Sequence, residues 1–62
     1  MDIPPNDNER GRILDAIGFT PITVDDIVRH TGCSVENVQL ILLELDLAGK
    51  IERHGGSRVS RT

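Results

Sequence analysis

A chain of 62 residues makes one domain at most, and a domain this small buries only about 60 % of the surface its unfolded form exposes. A single core of this size supplies roughly 3–5 kcal/mol, and one cysteine with no cluster at metal-ligand spacing leaves neither a disulfide nor a zinc site to add to it. The net charge of −3 excludes a protein whose whole surface grips phosphate, so any nucleic-acid contact has to be local.

Stability therefore rests on aliphatic packing. Isoleucine, leucine and valine dominate the apolar set, and Phe19 is the only aromatic. The longest apolar run, Leu40 to Leu43, is far too short to span a membrane. A lone Cys33 in a chain without a signal-like segment points to a reducing, cytoplasmic setting.

Met1 to Asn8 reads as a linker: Pro4 and Pro5 block helix and strand pairing, and Asp2, Asn6, Asp7 and Asn8 are turn and cap residues. Such a tail fits either a cut inside a longer protein or a chain start, with the folded domain spanning residues 9–62. From about Asn8 to Ile17 the apolar positions Ile13, Leu14 and Ile17 fall at helical spacing, with Asp7 or Asn8 as N-cap and Gly18 as C-cap. Phe19 to Thr23 resets the chain direction, and Ile22 fits a very short extended segment pointing inward.

Thr23-Val24-Asp25-Asp26 has the form of a capping box, so a second helix is expected over Val24 to His30, burying Val24, Ile27 and Val28. Thr31-Gly32-Cys33 closes it with a glycine placed for a left-handed turn, and Ser34 caps the third helix. That short helix, tight turn and following helix form a helix-turn-helix.

The third helix, about Val35 to Ala48, carries a core stripe of Val35, Val38, Ile41, Leu42 and Leu45. A second stripe, Leu40, Leu43 and Leu47, lies almost opposite the first. A helix apolar on two sides needs two partners, and two readings of the second stripe stand: it packs under the following hairpin against Ile51 and Val59, or Leu40, Leu43 and Leu47 form an interface for a partner or a second copy. Beyond Gly49, the segments Lys50 to His54 and Arg58 to Arg61 alternate around Gly55-Gly56-Ser57, which predicts a β-hairpin wing. The expected fold class is mainly α with a small β-hairpin, a three-helix winged helix.

Three blocks carry a family resemblance: Arg12-Ile13-Leu14-Asp15-Ala16-Ile17-Gly18, Pro21-Ile22-Thr23-Val24-Asp25-Asp26-Ile27 with Thr31-Gly32, and the leucine-rich run Val38 to Arg53 followed by Gly55-Gly56-Ser57-Arg58-Val59. Together they resemble the C-terminal winged-helix domain of the DprA/Smf family, DNA-processing protein A of natural transformation. The resemblance covers roughly Glu9 to the end. It implies a larger DprA-like parent whose separate Rossmann-like domain binds incoming single-stranded DNA and hands it to a RecA-type recombinase. No residue of that site carries over onto this sequence.

Base reading by the third helix would need basic or amide side chains near its start, but the helix offers Glu36, Asn37, Gln39, Glu44 and Asp46 and no lysine or arginine. The wing is the better candidate for backbone phosphate, since Lys50, Arg53, His54, Arg58 and Arg61 are five of the nine basic or histidine residues. Charges on a two-stranded edge also serve solubility and block edge pairing. His30, Cys33 and His54 lack the converging set zinc requires, and Ser34, Ser57 and Ser60 lack a base and orienting acid, so neither metal, cofactor nor catalysis is expected. The expected function is a non-catalytic accessory domain making protein contacts or weak DNA-backbone contacts. Its alternatives are a dimeric regulator module reading duplex DNA and a pure interaction or dimerisation module, and the acidic third helix argues against the first.

Overall fold

A computed structural model describes residues 7–62. Of the expected tail, Met1 to Asn8, residues 1–6 lie outside the described residues, while Asp7 and Asn8 already belong to the first helix. The element order is α1 (Asp7–Ala16), β1 (Ile22–Thr23), α2 (Val24–Thr31), α3 (Val35–Leu47), β2 (Ile51–His54) and β3 (Arg58–Arg61).

The helix ends show why the chain divides where it does. At the start of α2, the Thr23 hydroxyl accepts a hydrogen bond from the Asp26 amide at 3.1 Å, satisfying one of the donors a helix start leaves open. Gly32, at φ 70°, ends the helix in a left-handed turn and donates to the Val28 carbonyl. Buried Thr31 reinforces that turn, its hydroxyl donating to Ile27 O at 2.7 Å and accepting from the Cys33 amide. Ser34 caps α3 by accepting from the Asn37 amide. Gly49, at φ 72°, closes α3: Gly49 donates to Asp46 O and Lys50 to Leu45 O, the paired bonds of a Schellman ending.

Helix α1 departs from expectation at both ends. Asp7 and Asn8, expected as caps, lie inside its first turn. Gly18, expected as the C-cap, does not enter the left-handed region. Arg61 performs that role from the far end of the chain: its Nη2 donates to the Leu14 carbonyl at 2.6 Å and its Nε to the Ile17 carbonyl, while its backbone amide donates to Gly18 O at 2.8 Å. A guanidinium at a helix C-terminus satisfies open carbonyls and meets the negative end of the helix dipole.

The strands form one antiparallel sheet in the order β1-β3-β2. The hairpin register sets Ile51 opposite Arg61 and Arg53 opposite Val59, while β1 places Ile22 opposite Val59 on the other side. The wing is thus a three-stranded sheet with β3 at its centre. The turn needs left-handed backbone at Gly56 (φ 74°) and at Ser57 (φ 58°), and the Ser57 carbonyl accepts from the first amide of α2, Val24.

The core comprises Ile13, Ile17, Ile27, Cys33, Val38, Ile41, Leu42, Ile51 and Val59, with Ile22, Val24, Val28 and Leu45 packed against it. Two expectations need correction. Val35, assigned to the core stripe, is 51 % exposed; it opens α3 at the edge of the packed face, and Cys33 just before it fills the core at that end. The second leucine stripe does not pack under the wing, because Ile51 and Val59 are consumed by the main core.

Candidate functional site

Helix α3 points Val38, Ile41 and Leu42 into the core, so what lies opposite faces solvent. That outer face consists of Leu40 (44 % exposed), Leu43 (49 %) and Leu47 (81 %), together with exposed Glu36, Gln39, Glu44 and Asp46. In a helix-turn-helix docked on duplex DNA this surface would meet the major groove. A stripe of leucines among acids offers no donor fork for guanine and repels phosphate.

Two ion pairs reach the flanks of this face. Arg10 of α1 holds Glu44 with Nε at 3.0 Å and Nη2 at 3.3 Å, a two-point clasp between α1 and α3. The hydrogen bonds from Arg10 hold the Glu44 carboxyl below the usual carboxylate range. Arg53 of β2 reaches Asp46 at 3.1 Å, tying the wing to the last turn of α3. Asn37, near the helix start, donates to Glu9 at 2.9 Å. Position in the sequence could not reveal these pairs, because each joins residues on elements whose packing was still unknown.

The predicted basic set is divided by the fold. Arg61 is half-buried on the end of α1 and Arg53 is engaged with Asp46. Arg58 is exposed, its Nε donating to Gly55 O at 3.1 Å across the wing turn. The His54 imidazole lies 2.8 Å from the hydroxyl of Ser60. Ser60 is buried whereas His54 is exposed, so this contact ties an outward imidazole to the body of the sheet. Lys50 is exposed at the turn between α3 and β2. Among the described residues, no group of three His, Cys, Asp or Glu is placed to hold a metal ion, and no helix is long and apolar enough to cross a membrane.

A helix-turn-helix whose second helix is followed by a hairpin folded back beside it, and a sheet completed by a short strand ahead of α2, define a winged-helix domain. The family model described as the DprA winged helix domain matches residues 1–57. The chain belongs to that family, and its place in DNA processing follows from membership. No curated protein matches the chain.

Proposed function

We propose that this domain is the non-catalytic accessory winged helix of a larger DprA-type protein, acting by protein contact through the outer face of α3. The observation that carries this reading is the composition of that face: Leu40, Leu43 and Leu47 stand exposed among acids on a helix that has no basic residue, where a DNA reader would present arginine or lysine. Exposed leucines in a row cost solubility and favour burial against another apolar surface.

DNA contact is limited in this reading to the backbone at the wing. Two of the five basic candidates are committed to internal contacts, Arg61 to α1 and Arg53 to Asp46, which leaves Lys50, His54 and Arg58 as the outward set. Few cations mean few released counterions, so affinity is low from the start, and even the shallow salt slope of so few contacts carries it out of range at physiological salt. Single-strand binding and delivery to a RecA-type recombinase belong to the remainder of the parent.

The test is an NMR titration of the labelled chain with short duplex and single-stranded DNA at low and physiological salt. The expected result is an unmoved α3, with any shifts confined to Lys50, His54 and the 55–58 turn and lost at physiological salt. Duplex-induced shifts along α3 that persist at physiological salt would refute the protein-contact reading.

A further inference from the structure

Along the outer face of α3, Glu36, Leu40, Leu43 and Leu47 recur at spacings of four, three and four, and all four are exposed. That is the alternation of a and d positions in a heptad seam, the pattern by which one helix accepts another lengthwise. Gln39, Glu44 and Asp46 flank the seam. Glu44 is held by Arg10 and Asp46 by Arg53, whereas Glu36 has no ion pair among the described residues. The one charge in the seam is therefore a carboxylate without an ion pair, in its N-terminal layer.

That carboxylate decides what can occupy the seam. If α3 paired with a second copy in parallel, the two Glu36 side chains would face each other. In the antiparallel register that uses all four layers, Glu36 would sit against Leu47 of the second copy. Either arrangement sets the carboxylate against a like charge or an apolar side chain, which disfavours a second copy relative to a partner that supplies a cation there. A lysine or arginine opposite Glu36 removes the penalty and turns the same residue into a selector.

We propose that the outer face of α3 receives a cationic amphipathic helix from a different protein segment, with aliphatic residues against Leu40, Leu43 and Leu47 and a lysine or arginine against Glu36. This rests on the protein-contact reading above and gives it a partner chemistry.

Three synthetic peptides of about three heptads each test it: one with a leucine seam and lysine flanks, one with the same seam and glutamate flanks, and one with the lysine composition scrambled so that no seam forms. Titrated into the 62-residue chain, the lysine-seam peptide is expected to shift the α3 amides and to bind about tenfold or more tightly than its glutamate counterpart. Glu36→Lys should reverse that order. Leu47→Ser, at the most exposed leucine of the seam, should weaken binding while leaving the remaining spectrum native.

Equal binding of the scrambled peptide, an unmoved α3, or an unchanged preference in Glu36→Lys would overturn the proposal. So would α3 shifts that grow with protein concentration in the absence of peptide, which would make a second copy the occupant. An α3 silent to both DNA and peptides refutes only the cationic helix, whereas an α3 moved by duplex DNA refutes the protein-contact reading beneath it.

Discussion

Replacing Arg61 with methionine keeps the aliphatic stem and removes the guanidinium that closes α1. Two charge-assisted hydrogen bonds are lost, to the carbonyls of Leu14 and Ile17, while the backbone bond from residue 61 to Gly18 O remains. Hydrogen bonds to charged groups contribute about 1.5–3 kcal/mol each. Arg61 is half-buried rather than fully enclosed, so water replaces part of what is removed, and halving the sum gives a loss of about 2 kcal/mol for the pair. Against a total of roughly 3–5 kcal/mol that is a large share. In a domain of this length it lowers the melting temperature by about 8–16 °C.

Thermal and urea unfolding followed by circular dichroism measure this directly, with Arg53→Met as the control. Arg53 also makes an ion pair, but the pair is largely exposed and should contribute under about 0.5 kcal/mol. If Arg61→Met melted within about 3 °C of the parent chain, or no lower than Arg53→Met, the assignment of Arg61 to the end of α1 would be wrong.

Other outcomes follow from the same packing. Leu42→Ala, in the fully buried stripe, should cost about 2–5 kcal/mol and leave most of the chain unfolded at room temperature, whereas Leu47→Gln should stay within about 0.5 kcal/mol in the same urea titration. Ser57→Gly should stabilise by about 0.5–1 kcal/mol, since a non-glycine residue is strained in the left-handed region and glycine is not, net of the freedom glycine adds to the unfolded chain. For Glu44, the depressed folded-state pKa means that the Arg10 clasp contributes stability above the ordinary glutamate range and loses it as pH falls through the lowered value. A carbon-detected NMR titration should find the Glu44 carboxyl titrating below a model glutamate, and Arg10→Gln should move it back upward.

Much of this fold is local physics and was readable along the chain. Thr23 and Ser34 cap the helices that follow them, Gly32 and Gly49 end the helices that precede them, and the Val38, Ile41, Leu42 series faces the core, because each of these depends on residues within one or two turns. The hairpin around Gly55-Gly56-Ser57 likewise follows from alternation and turn chemistry. The features that long-range packing decides were beyond such reasoning. Gly18 looked like the end of α1, but the carbonyls of Leu14 and Ile17 there are met by Arg61, a partner more than forty residues away in sequence. Arg61 in turn resembled one more cation of the wing until the register of β3 against β2 turned it inward beside the core strand face. The second leucine stripe left two readings open, because periodicity shows that a face is apolar without showing what covers it. Only the placement of Ile51 and Val59 in the main core leaves Leu40, Leu43 and Leu47 facing solvent. Caps and turns are written in neighbouring residues; which surface stays uncovered depends on how every element packs at once.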